Sequence, residues 1–338
     1  MPYASYEACG ILYEMGRVMA VSEKGIEVIT PLAHKGGVGK SLTLRLLYQG
    51  IARVLRQNGE TRKILVVDAD PQGNTSSRWL AMTSETQGYL RGKLPPVHPD
   101  LDLNERSDLS DIWLQGVAPE PYQTANPLID IVPARESMLY EATGPQSYKF
   151  QINGIRAWLE DNAISERYCA VFIDTPPSKG LLTQAALAAA TACYIPVEYE
   201  PYPIDGMDQM FHMVDSEMIS RPDNHRLSFQ GIIANKVPVT RATIYHRYRD
   251  GLRNHKTYGP HMLECELRDL AAFTETDAKT TIPGDIFDYP SKTHMHVLNE
   301  AQHFCHAIFS QLNAFDDWDL DFRQGESFDQ PESKEGRA

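Results

Sequence analysis

The chain is poor in cysteine, has no long apolar run, and carries too few basic residues to balance its acids. Its five cysteines, Cys9, Cys169, Cys193, Cys265 and Cys305, are odd in number and widely scattered. That pattern excludes a disulfide framework and a cysteine zinc site, and it suits reduced thiols packed as small hydrophobes. No apolar stretch approaches the roughly 20 residues of a membrane-spanning helix. No basic segment followed by an apolar core suggests a secretory leader, so the expected location is cytoplasmic. Lys and Arg number 32 against 45 Asp and Glu, a formal net charge of −13. Such a surface does not attract nucleic acid indiscriminately, and only a local basic patch could do so. The rest is ordinary: 42% hydrophobic and 23% charged residues over 338 positions. That is enough for one large domain or two small ones around a substantial core.

Against these absences stands one dense stretch, His34-Lys35-Gly36-Gly37-Val38-Gly39-Lys40-Ser41. An apolar run from Ile26 to Leu32 precedes it, and a helical pattern from Leu42 to Leu55 follows. Strand, glycine-rich turn and helix make a phosphate cradle. Glycines let successive backbone N–H groups converge where a Cβ would clash, and the helix start adds the positive end of its dipole. The backbone from Lys35 through Gly36, Gly37, Val38 and Gly39 to Lys40, Ser41 and Leu42 is the expected nucleotide contact. Lys40 can reach the β- and γ-phosphates, and the Ser41 hydroxyl can ligate Mg²⁺. A strict phosphate loop has glycine six residues before its lysine; here that place is His34, and a second lysine, Lys35, follows it.

Two further runs end in acids. Ile64-Leu65-Val66-Val67 leads into Asp68-Ala69-Asp70-Pro71-Gln72-Gly73-Asn74, and Cys169-Ala170-Val171-Phe172-Ile173 leads into Asp174-Thr175-Pro176-Pro177-Ser178. Short apolar runs of this kind suit buried parallel strands with their carboxylates at the C-terminal sheet edge, where ligands collect. Asp174 could there hold a magnesium-bound water. Carboxylates beside a triphosphate are unfavourable unless cations offset them, and Lys35, Lys40 and a Mg²⁺ ion would do so.

These three motifs, in this order, resemble the ParA/MinD group of deviant Walker A ATPases, and the likeness to the ParA family spans about residues 26 to 312. The resemblance implies ATP and Mg²⁺ as cofactors and a homodimer closed face to face around ATP. Lys35 would reach the partner subunit's nucleotide, Asp70 would position the attacking water, and Asp68 would support the magnesium shell. Lys35, Lys40 and Asp70 are thus the expected catalytic residues, and Ser41, Asp68 and Asp174 the expected metal residues. Asn235, which ends the run Phe229-Gln230-Gly231-Ile232-Ile233-Ala234, matches a position that reads the adenine edge in related ATPases; turn chemistry is the alternative.

Strands alternating with helices predict a doubly wound, mostly parallel α/β sheet with helices on both faces. Residues 1–24 form an extension with one predicted helix, Tyr6 to Val21, and residues 25–313 form the ATPase domain. Within it, 81–128 is a proline- and glycine-rich excursion, and 314–338 reads as an acidic disordered tail. An acidic end also lacks the basic amphipathic helix of a membrane-cycling relative. The one basic stretch runs from Arg241 to Lys256. On a helical wheel, Ile244, Tyr245, Tyr248 and Leu252 make an apolar face flanked by Arg249, Arg253 and Lys256. With Arg241 these are the candidate DNA contacts, against a plain solvated face. Histidines 294, 296, 303 and 306 on the last helix lack a third ligand in register, so no metal site is expected. The expected function is ATP-driven plasmid or chromosome partition, with nonspecific DNA, an adaptor of ParB type and a nucleoid-associated location. The alternative is a positioning or conjugation-associated ATPase that moves a protein cargo. A redox ATPase with a bridging cluster is the other competing class, and it is disfavoured because no cysteine lies near Asp70 or just after Asp174.

Overall fold

The computed structural model describes residues 26–87, 90–102, 104–144, 151–200, 204–222, 225–239, 243–278, 285–288 and 291–322. The helix expected over Tyr6 to Val21 lies outside them. The strands are β1 (Glu27–Pro31), β2 (Lys63–Asp68), β3 (Thr83–Gln87), β4 (Leu90–Leu94), β5 (Tyr122–Gln123), β6 (Ile129–Val132), β7 (Tyr168–Asp174), β8 (Ala192–Val197), β9 (Ser228–Val237) and β10 (Met262–Arg268). Eight of them form one sheet in the order β10-β9-β8-β1-β7-β2-β6-β5. Every pairing in it is parallel except that of the short edge strand β5 with β6. β1, which delivers the glycine-rich loop, is central, and the chain winds outward from it in both directions.

Parallel strands need helical crossovers, and these cover both faces. The α-helices among the described residues are α1 (Lys40–Val54), α2 (Asn74–Trp79), α3 (Asp111–Leu114), α4 (Glu136–Thr143), α5 (Gly154–Leu159), α6 (Asn162–Arg167), α7 (Leu181–Ala189), α8 (Ile204–Ser220), α9 (Thr243–Arg253), α10 (Ala271–Ala278) and α11 (Ser291–Phe309). Strand side chains alternate between the two faces. Ile64, Val66 and Phe172 pack with Leu47 and Ile51 of α1 and Phe304 and Ile308 of α11. Leu65, Val67 and Val171 pack with Ile155 of α5 and Ala185 and Ala186 of α7. Cys169, Cys193 and Cys305 are free and buried in this core, and no described helix is long and apolar enough to cross a membrane.

Two regions differ from expectation. The 81–128 excursion contains an antiparallel hairpin, β3 with β4, besides short pieces of helix and strand. The tail is ordered at least to Phe322, which is buried with Phe315 against α1 and α11. The Arg53 guanidinium donates to the Phe322 carbonyl at 3.2 Å and to the Asp288 carboxylate at 2.6 Å, holding this return stroke on α1. The acids of the segment face outward while Phe315, Trp318, Leu320 and Phe322 pack inward or against the core. Composition averages away that division of faces.

Candidate nucleotide site

The loop between β1 and α1 takes its shape from two left-handed glycines, Gly37 at φ 85° and Gly39 at φ 89°. A side chain would be strained at either. At Gly39 a Cβ would also come within 2.0 Å of the Asn235 amide nitrogen. Asn235, at the C-terminal end of β9, donates that nitrogen to the Val38 carbonyl at 2.8 Å. Its neighbour Lys236 donates to the Gly37 carbonyl and stands 3.4 Å from the Glu198 carboxylate. The Asn235 side chain is therefore packed against the loop, 1% exposed. The amide nitrogen thus serves the loop, and the glycine-loop motif alone gives no sign of the Lys236 contact.

β2 and β7 bring the acids together: Asp68 and Asp174 are register partners at adjacent strand ends. Both are buried. Burial raises both carboxyl pKa values above the ordinary range, and each has a further acid beside it. The two nonetheless do different work. One Asp68 oxygen accepts from the Asp70 backbone N–H at 3.2 Å; the other accepts from the Ser76 N–H at 2.7 Å and the Ser76 hydroxyl at 2.6 Å. Asp68 thus holds the turn from Asp70 to Ser76. Asp174 accepts from the Thr75 hydroxyl at 2.6 Å on Oδ2. Its Oδ1 is buried with no hydrogen-bond partner among the described residues, and the nearby Ser41 hydroxyl favours its charged form.

Lys40 is 7% exposed, and desolvation lowers its pKa while Asp174 and Asp70 oppose the shift. One buried ammonium thus faces more than one carboxylate. That excess of negative charge, the unpaired Asp174 oxygen and the Ser41 hydroxyl are a donor set of the hard oxygen type that Mg²⁺ takes, usually with its own waters and a phosphate. The residues present therefore fit the ion. Asp70 is half-buried, one oxygen accepting from the Gln72 N–H at 3.0 Å. The segment after Asp174 closes on the loop from the other side: Thr175 donates to the Pro31 carbonyl at 2.8 Å, and a Cβ at Gly36 would lie 3.7 Å from the Pro177 ring.

Lys35 points away from this cluster in the monomer, its ammonium 2.6 Å from a carboxylate oxygen of Glu200. The basic stretch forms α9, with Tyr245 and Leu252 buried as its apolar face predicts. Arg249 and Arg253 are not free cations, however. Each donates to the same Glu266 oxygen at 3.0 Å, and the Tyr199 hydroxyl joins them at 2.8 Å. Lys256 is exposed, and Arg241 lies outside the described residues. No three potential metal ligands cluster among the described histidines, cysteines and acids.

A family model described as an AAA domain matches residues 26–229, more than half of the chain. Among curated proteins, the chromosome partitioning protein ParA of Myxococcus xanthus is 29% identical over 243 residues, 71% of this chain and 72% of that protein. The sporulation initiation inhibitor protein Soj of Bacillus subtilis is 27% identical over 221 residues, 65% and 72% of the two chains. Among solved structures, a plasmid partition protein from Borrelia burgdorferi B31 bound to AMPPNP superimposes with TM-score 0.61 over 85% of this chain and all of that one, at 16% identity. Apo McdA from Cyanothece gives 0.60 over 83% and 99%, at 17% identity. These two likenesses establish the fold, a P-loop sheet, and the family model and the curated relatives establish the lineage: the chain belongs to the ParA family.

Proposed function

We propose that this chain is a Mg²⁺-dependent ATPase of the partition type, which closes into a homodimer around ATP and binds DNA without sequence preference in that state. The observation that carries the reading is Lys40 buried among Asp70 and Asp174 at the mouth of a left-handed glycine loop. In this reading the loop N–H groups and Lys40 bind the β- and γ-phosphates. Ser41 and Asp174 hold the magnesium shell, and Asp68 fixes the turn that carries Asp70. Magnesium, when bound, neutralises charge developing on the phosphoryl oxygens. Asp70 orients the attacking water, so that catalysis is mostly positioning and electrostatics. The names of the relatives, chromosome partitioning and plasmid partition, support DNA as the cargo or track, with an adaptor of ParB type stimulating hydrolysis and a nucleoid-associated location.

A second reading, a positioner of protein cargo, is favoured by one observation: Glu266 already neutralises Arg249 and Arg253. The test is binding to a random-sequence duplex with ADP, with ATP, and with ATP on Asp70→Ala, across a salt series. Affinity that needs ATP, persists in Asp70→Ala and falls steeply with salt is the expected result. ATP-driven dimers that ignore DNA at every salt concentration would replace partition by the cargo reading. Lys40→Ala should abolish both nucleotide binding and dimerisation.

A further inference from the structure

Lys236 is one of two non-glycine residues among those described that adopt a left-handed backbone, at φ 52°. Such a conformation costs on the order of a kcal/mol or more and persists where the surroundings require it. Consecutive side chains on a strand point to opposite faces. At the end of β9 the left-handed turn breaks that rule, and both Asn235 and Lys236 reach the same loop. They take two consecutive carbonyls: Asn235 binds that of Val38, and Lys236 that of Gly37. In a planar trans peptide, the carbonyl and the N–H of the next residue point in opposite directions. Drawing the Gly37 and Val38 carbonyls toward β9 therefore turns the N–H groups of Val38 and Gly39 away from it, into the loop. Two adjacent N–H groups turned inward are the core of an anion-binding nest.

Resting on the nucleotide reading above, we propose that Asn235 and Lys236 are positioning residues that preset two peptide planes of the phosphate loop, and so set its affinity for polyphosphate whatever base is attached. Glu198, 3.4 Å from the Lys236 ammonium, holds the lysine at that station. The buried Asn235 amide nitrogen is engaged with the loop through the Val38 carbonyl at 2.8 Å.

The experiment measures dissociation constants of ATP, ADP and inorganic triphosphate for the wild type, Lys236→Ala, Lys236→Arg, Lys236→Gly and Asn235→Ala, with thermal unfolding of each. A lost charge-assisted hydrogen bond should weaken all three ligands by about tenfold and by the same factor. Lys236→Arg should restore most of the affinity. Lys236→Gly is the decisive variant, since glycine accepts the left-handed backbone without strain. It should be no less stable than the wild type yet bind triphosphate as weakly as Lys236→Ala, a split that a purely structural role would not give. If Asn235→Ala does not fold, the exposed Lys236 still carries the test. Weaker ATP and ADP binding with unchanged triphosphate binding would overturn the proposal in favour of base recognition, as would unchanged affinity for all three in Lys236→Ala and Lys236→Gly. A wild type that binds none of the ligands would remove the nucleotide reading itself, and this inference with it.

Discussion

At the scale of single residues, the chain carries buried carboxylates outside the nucleotide site, and Asp108 is the clearest. It is 2% exposed and accepts hydrogen bonds from the Ser110 backbone, at 2.9 Å, and from the Ser110 hydroxyl. Loss of water outweighs those bonds and pushes its pKa up to about 6, with Asp111 adding to the rise and Arg135 opposing it. A carboxyl that binds its proton more tightly folded than unfolded stabilises the fold at low pH. That contribution is complete below the unfolded value of about 4 and is lost as pH rises through about 6. Asp108→Asn has no proton to lose. We expect its advantage over the wild type to be small at pH 4.5 and to grow by about 1–3 kcal/mol by pH 7.5, as read by urea unfolding at the two pH values. An equal gap at both would mean that packing, rather than ionisation, separates the two proteins.

At the scale of elements, the decisive pairing lies between α9 and the strand β10 it packs beside. A helical wheel places Arg249 and Arg253 on one flank of α9 but says nothing about the acid facing them from another element. Glu266 sits 13 and 17 residues further along and takes both guanidinium groups. If α9 is the DNA face, Glu266→Gln should strengthen ATP-state binding to a random duplex and steepen its dependence on salt, by up to about two phosphate contacts' worth. An unchanged salt slope would move the DNA face elsewhere. The same contrast marks what could be read from the sequence. The runs ending at Asp68 and Asp174 are apolar on both faces, as buried parallel strands must be, and the glycine loop is local chemistry. Both were legible, as was the helix after Lys40. The hairpin Thr83–Gln87 with Leu90–Leu94 has no regular apolar alternation, so no period announces it. The hold of Asn235 and Lys236 on the loop, across nearly 200 residues, and of Arg53 on Phe322, exists only once the sheet is assembled.

At the scale of the whole molecule, Lys35 decides between one copy and two. In the single chain its ammonium is held by Glu200, an exposed pair at the mouth of the loop. If Lys35 serves the partner subunit's nucleotide, that pair must break in each subunit before the dimer closes, so its small cost enters twice. Exposed ion pairs are weak and screened by salt, so the hold can bias dimerisation without preventing it. Glu200→Gln should lower, by a few-fold, the ATP concentration at which dimers form in low salt. The advantage should fade as salt is raised, because salt loosens the wild-type pair toward the same state. Lys35→Ala should gain nothing from the added Glu200→Gln change and should dimerise poorly in either background. Analytical ultracentrifugation of the four proteins with ATP, at two salt concentrations, separates the outcomes. A Glu200→Gln variant that dimerises no more readily than the wild type, in low salt and with Lys35 intact, would show that Lys35 is not withheld by Glu200, and the trigger for pairing would then lie in the loop after Asp174 that closes on Gly36.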